Sequence, residues 1–270
     1  MENVKTASGN QLNNDLIDQV LSATEQPEEQ NIHITPPSDT QVDLPAGYIT
    51  PDGEVARVAE VRELNGRDEE ALGKSGGGAK SYSVLLSRAV VSIGGQPVTE
   101  QVLDSLILGD RDALMLGIYK ATFGHTVELV GICQGCGDFK TVEADLNRDV
   151  TTKVLTDPVA DRTFVVQGRS KEFLVTLPTG ALQKELANAG DKSAGEKNTI
   201  LLQNTVLEID GSPVIGKAQV QNLGVMDRNT IAAEIGKRLP GPQFEDITLS
   251  CPECEGMVVV PFNLGTLFQL

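Results

Sequence analysis

Tryptophan is absent from these 270 residues, aromatic residues make up 4%, and the only histidines are His33 and His125. So few rings leave little material for a base-stacking platform. With two histidines far apart in sequence there is no histidine-based catalytic constellation to assemble. Bases are also in deficit: 22 Lys and Arg stand against 38 Asp and Glu, a formal net charge of −16. Phosphate binding is driven by Lys and Arg displacing counterions, so this balance argues against nucleic acid as a partner. No apolar run approaches the roughly 18 residues of a membrane span, and no membrane partner is expected. The opening MENVKTASGN is too polar for a signal peptide, and a cytoplasmic product is expected. The four cysteines are too few for a disulfide scaffold in a chain of this length. No G-x-S-x-G, P-loop or dinucleotide fingerprint is present. Ser75-Gly76-Gly77-Gly78 is glycine-rich, but no strand delivers it to a helix, so it reads as an interhelix loop. Nothing here marks an enzyme.

What is present is unevenly distributed. Residues 1–45 hold eight acids and one base, Lys5, a net −7. That segment is rich in Asn, Gln, Ser, Thr and Pro and is expected to be a flexible acidic arm. Leu12, Leu16, Ile17, Val20 and Leu21 nevertheless form one apolar helical stripe. The stripe fits a short helix docked on its own domain, a helix that binds a partner's groove, or a segment that stays unfolded. Beyond the arm, a length prior of about 150 residues per domain leaves room for one large or two ordinary domains.

A duplication decides between them. Leu85–Val98 and Leu201–Val214 share seven of fourteen residues at an offset of 116. Val61 and Gly66 meet Val175 and Gly180 at 114, Asp110-Arg111 meets Asp227-Arg228 at 117, and Cys133-x-x-Cys136 meets Cys251-x-x-Cys254 at 118. We read two tandem domains, 46–150 and 158–270. Each is expected to open with a strand (54–64; 172–177) and continue through four helices (67–74, 81–91, 99–107, 110–123; 180–189, 197–207, 217–223, 227–239). Gly94-Gly95-Gln96-Pro97 and Asp210-Gly211-Ser212-Pro213 mark sharp bends. Each domain closes on a strand, a CxxC turn and a second strand (127–132 and 139–144; 246–250 and 257–262). The fold class is α+β, with helices segregated from a small antiparallel hairpin.

The cysteines carry the strongest chemical signal. Cys133, Cys136, Cys251 and Cys254 form two pairs, each on a tight turn between short strands, which is a zinc-knuckle arrangement. Two knuckles complete a tetrahedral four-sulfur site. If the copies pack face to face about a pseudo-two-fold, their hairpins meet at one structural zinc per chain. Half-sites completed by another chain, a redox or iron–sulfur role, and metal-free thiols remain open; a redox CxxC normally sits at a helix start. His125 is a possible spare ligand or a surface residue at a strand entry. Asp110-Arg111 and Asp227-Arg228 recur at helix starts, which fits an N-cap carboxylate with an Arg clamping a neighbouring loop; the alternative is a paired functional site. Asp68-Glu69-Glu70 falls in a helix's first turn, where the macrodipole favours acids.

The ordered set Gly47-Tyr48-Ile49-Thr50-Pro51-Asp52-Gly53, Val61–Glu70, Gly109–Leu116, Thr122-Phe123-Gly124, C-x-x-C, and a second copy ending in C-P-x-C with Phe262, Leu267 and Phe268 resembles a known family. It is similar to the baseplate-hub assembly proteins of T-even-type contractile phage tails and related contractile injection systems. The resemblance covers roughly 46–270. Two departures are local: the first knuckle lacks Pro after its first Cys, and Glu255 stands where Gly is usual. The resemblance implies a non-enzymatic structural or assembly protein whose partners are other baseplate and tail proteins, present in several copies in a symmetric assembly. It leaves open whether the chain stays in the finished particle or acts transiently as an assembly chaperone. A cellular zinc-ribbon adaptor or a metal-dependent enzyme is the competing class.

Overall fold

The computed structural model describes residues 40–268, so the stripe Leu12, Leu16, Ile17, Val20 and Leu21 lies outside the described residues. Helices and antiparallel strands are mixed, as in an α+β chain. Strands β1 (Gln41–Ile49) and β2 (Val55–Val61) lead to helices α1 (Gly66–Lys74) and α2 (Ala79–Ala89). A short hairpin, β3 (Val90–Ile93) and β4 (Gln96–Pro97), precedes α3 (Glu100–Ser105) and α4 (Leu108–Phe123). Strands β5 (Thr126–Cys133) and β6 (Phe139–Asp145) form the first cysteine hairpin.

After β7 (Thr151–Lys153) a similar order runs again. It comprises β8 (Thr163–Gln167), β9 (Glu172–Thr176), α5 (Gly180–Asn188), α6 (Ala194–Thr205), β10 (Val206–Ile209), β11 (Ser212–Pro213), α7 (Lys217–Gln221) and α8 (Val225–Arg238). Strand β12 (Gly241–Gln243) pairs with β7, and β13 (Ile247–Ser250) with β14 (Met257–Val260) makes the second cysteine hairpin. Helix α9 (Leu264–Phe268) follows.

Two four-stranded antiparallel sheets, β1-β2-β3-β4 and β8-β9-β10-β11, carry the helical parts. Each has its own core. Val61, Leu86, Leu103, Leu114 and Ile118 are buried in the first, and Val175, Leu202, Val220, Ile231 and Ile235 in the second. These spacings place i, i+4 pairs of α4 and α8 on the face toward the sheet. A third core lies under the cysteine hairpins, where Leu116 and Tyr119 of α4 meet Leu129, Val142, Val258, Val260, Phe262 and Leu267. One helix therefore serves two cores, and α4 is buried along most of its length.

Several expected boundaries shift. The arm was expected to run to residue 45, but β1 begins at Gln41, with Val42 and Leu44 in the core. The helices expected to reach Val91 and Leu207 end at Ala89 and Thr205. The residues beyond them, Val-Val-Ser-Ile and Val-Leu-Glu-Ile, are rich in branched side chains and pair as strands. The bends are two-residue hairpin loops with positive φ at both central residues: 58° and 76° at Gly94-Gly95, 50° and 74° at Asp210-Gly211. Such primed turns match the twist of the strands they join, and they explain why Gly and Asp stand there.

The two Asp-Arg pairs are not at N-caps. Helices α4 and α8 start earlier, with Ile107 and Gly224 as their caps, so Asp110 and Asp227 lie inside the first turn. Their carboxylates reach across to other segments. Asp110 Oδ1 accepts from the Ala46 N–H of β1 at 2.6 Å, and Asp227 Oδ1 from the Arg169 N–H at 2.8 Å. The arginines hold the preceding helix: Arg111 Nη1 donates to the Leu103 carbonyl at 2.7 Å and Arg228 Nη1 to the Val220 carbonyl at 2.8 Å. Arg111 also donates through Nε to Gln183 of α5 at 2.9 Å.

Asp110 is fully buried, and burial raises its carboxyl to about 6 while the Ala46 N–H pulls it down. A carboxyl that binds its proton more tightly folded than unfolded contributes stability that is complete below about pH 4 and lost as pH rises through about 6. Urea unfolding across that window should show a decline of up to ~3 kcal/mol from this group. Asp110→Asn should flatten it; an unchanged slope would contradict the assignment.

Candidate metal centre

The two cysteine hairpins join edge to edge in one four-stranded sheet of order β13-β14-β5-β6. Val258 pairs with Cys133 and Val259 with Ile132, so the last strand of the second hairpin lies beside the first strand of the first. This corrects the expected face-to-face pseudo-two-fold packing. A two-fold contact pairs equivalent elements, whereas here non-equivalent strands pair and the hairpins stand side by side in the same sense. Because strands alternate in direction, both cysteine turns then emerge at the same end of the sheet.

Each turn is wired alike. In the first, Cys133 N–H donates to the Asp138 carbonyl and Gly137 N–H to the Cys133 carbonyl, both at 2.9 Å. In the second, Cys251 N–H donates to the Gly256 carbonyl at 2.8 Å and Glu255 N–H to the Cys251 carbonyl at 2.9 Å. Gly137 and Glu255 hold matching positions at positive φ, 78° and 58°. Glycine takes that conformation freely, whereas a residue with a Cβ is strained there by about 1–2 kcal/mol.

The four sulfurs converge. Cys133 Sγ lies 3.4 Å from Cys254 Sγ, and Cys136 Sγ 4.0 Å from Cys251 Sγ. All four atoms fall within 4.8 Å of one another, and none is in a disulfide. A tetrahedral zinc at about 2.3 Å from each sulfur sets sulfur–sulfur separations near ~3.8 Å, between these two distances. In each pair the first cysteine is buried and the second exposed. The donor set and its spacing therefore fit one zinc ion drawn from both halves of the chain.

Charge in the cluster points the same way. The Cys133 thiol is lowered to about 6, first by the Cys136 backbone N–H and further by that of Gly135, 3.3 Å from its sulfur. The Asp138 N–H favours a Cys136 thiolate, yet burial and the sulfurs of Cys133 and Cys254 push that thiol up to about 12. Crowded thiolates repel one another, and a divalent cation at their centre removes the conflict. Lys140 adds positive charge at the rim, where it pairs with Glu253 of the second turn and lies 3.8 Å from Asp138 of the first. The trio Cys136, Asp138 and Glu253 is also close together, but Lys140 occupies its carboxylates.

Sequence reasoning missed the two glycines at the contact. A Cβ on Gly135 would lie 2.9 Å from Cys254 Sγ and 3.1 Å from Gly256 Cα; one on Gly256 would lie 2.8 Å from Gly135 Cα and 3.1 Å from Cys133 Sγ. The turns meet backbone to backbone, so neither position accepts a side chain. The signal was a glycine in each turn segment, but only the register of the two hairpins shows that they face each other. His125 is not a ligand: it precedes β5, and the full length of that strand separates it from Cys133. Asp110, Arg111, Asp227 and Arg228 belong to the helical parts and do not join the cysteines.

The loop around Ser75-Gly76-Gly77-Gly78 links α1 to α2. A separate cleft of about 530 Å³ between β1, α4 and β7 is lined by Gln41, Asp43, Arg57, Lys120, Asn147 and Thr152 among apolar residues, and its lining holds no cysteine, histidine or serine. Among the described residues, no helix is long and apolar enough to cross a membrane. No protein family, curated protein or solved structure matches this chain.

Two substitutions test the turn geometry in opposite directions. Gly256→Val should lower zinc affinity and melting temperature together, because the turns must separate to admit the side chain. Glu255→Gly should raise stability by about 0.5–1 kcal/mol by relieving the left-handed backbone. Calorimetry of the zinc-loaded proteins reads both; a neutral Gly256→Val would refute the close contact.

Proposed function

We propose that this chain is a non-enzymatic structural or assembly component of a phage-like contractile tail baseplate, built as a tandem duplication and held by one structural zinc. The observation that carries the reading is the closed donor set: four thiolates from two distant knuckles fill a tetrahedral ion's coordination. Such a site has no open position for water or substrate. When bound, zinc supplies cross-linking and folding free energy rather than Lewis-acid chemistry. The chain's own residues set the rest: Cys133 and Cys136 bring one half, Cys251 and Cys254 the other, and Lys140 offsets negative charge at the rim.

The duplication is supported by the internal sequence offsets and by the repeated element order on either side of β7. The tail assignment rests on the resemblance carried by the ordered motifs. In this reading the partners are other baseplate proteins, the chain is made in the cytoplasm, and the acidic segment preceding β1 takes part in docking. Whether it remains in the particle or leaves as a chaperone is decided by mass spectrometry of assembled tails.

Native mass spectrometry should find one zinc per monomer. Cys133→Ser and Cys254→Ser should each lose the metal and destabilise the fold by several kcal/mol, since metal binding here is folding free energy. Zinc found only in dimers would refute the intrachain site. A chain that neither co-purifies with a tail particle nor affects its assembly would refute the tail assignment.

A further inference from the structure

The two halves touch through non-equivalent surfaces. Helix α5 of the second half packs on α2, α3 and α4 of the first. Gly180 N–H donates to the Leu106 carbonyl at 2.9 Å, and Leu108 N–H donates to the Pro178 carbonyl at 3.1 Å. Lys184 of α5 pairs with Glu100 and Asp104 of α3, and Gln183 accepts from Arg111 of α4. Among the described residues α1 makes no comparably extensive contact with α6, α7 or α8. A head-to-tail contact of this kind leaves one face of each type unused, and it propagates between copies.

The unused faces match. Helices α1 and α5 have the same length and both begin on glycine, so Glu69 corresponds to Gln183 and Glu70 to Lys184. Helices α3 and α7 begin on Glu100 and Lys217, which therefore correspond. The surface pair Lys184–Glu100 has its counterpart on the free faces in Glu70 and Lys217, with both signs exchanged, and both are exposed. A Cβ on Gly180 would lie 2.5 Å from Arg111 Nη1, whereas Gly66 faces open space. Leu108 is half-buried and Gly109 buried at the start of α4, while Val225 and Met226 at the matching positions of α8 are 71% and 59% exposed. Met226 stands where Gly109 is pressed by Pro240. The first half runs from α4 directly into β5 and has no β12-like strand to meet that methionine. The outer strands β13 and β6 are also the two strand types that pair at β14–β5.

We infer that a second copy of this chain docks its α1 on the α7–α8 junction, with Glu70 against Lys217, giving a head-to-tail array. The inference rests on the tandem-duplication reading above. Complementary charge exchanged at both partners selects another copy over an unrelated protein. The array closes to a ring or stays open according to the rotation per step.

Charge reversal on the full-length, zinc-loaded chain tests it. Sedimentation velocity at physiological salt should show self-association of the native protein, weakened about tenfold by Glu70→Lys and by Lys217→Glu. The double variant should restore it, and so should an equimolar mixture of the two single variants. A native chain that stays monomeric, single reversals without effect, or a double variant no better than the singles would each overturn the array. Zinc content measured on the same samples separates the two readings: a monomer with one zinc refutes the array and leaves the staple standing, while zinc-free protein refutes the staple.

Discussion

The contact between the two cysteine turns is the constraint on which the rest of the structure depends. Each turn presents two sulfurs that cannot share negative charge with the other two unless a cation lies between them. Each also presents a glycine, Gly135 or Gly256, where the opposing backbone leaves no room for a Cβ. The β14–β5 pairing sets the register that brings sulfur to sulfur. That pairing draws the two hairpins over α4, whose Leu116 and Tyr119 fill the core beneath. The same helix packs its other residues, Leu114 and Ile118, into the first sheet's core. The cysteine cluster and the helical scaffold are therefore coupled through one shared helix rather than through a linker.

The side-by-side relation of the hairpins has a consequence for the arginine pairs. In a two-fold dimer Arg111 and Arg228 would see equivalent surroundings. In this head-to-tail arrangement they do not. Arg111 is 1% exposed beneath α5 and reaches Gln183, whereas Arg228 turns to Thr199 and the Gly195 carbonyl of its own half. Both keep the bond to the helix before them. The shared contact is a local clamp between consecutive helices; the differing contact records which half is covered.

Much of this was legible in the sequence, and what was not has physical reasons. The long helices and the cysteine hairpins follow from periodicity and from Gly-marked turns, and fourteen-residue self-similarity locates the central hairpins. Strands β3 and β10 were read as helix ends because four residues after a long helix carry too little periodicity to separate the two states. Strand β1 was hidden by its neighbourhood: Gln41 follows a polar, acidic stretch, and only the burial of Val42 and Leu44 gives it away. The convergence of the four cysteines was expected from the CxxC spacing and the internal duplication. The glycine contact and Lys140 were not, because they depend on which strand of one hairpin lies against which strand of the other.

The central claim is that four thiolates from both halves close on a single zinc. X-ray absorption at the zinc edge of the monomeric, metal-loaded chain tests it most directly. The account predicts a single shell of four sulfurs at about 2.3 Å. A shell with two sulfurs and lighter atoms completing it would contradict the account, since it would mean that the knuckles do not meet.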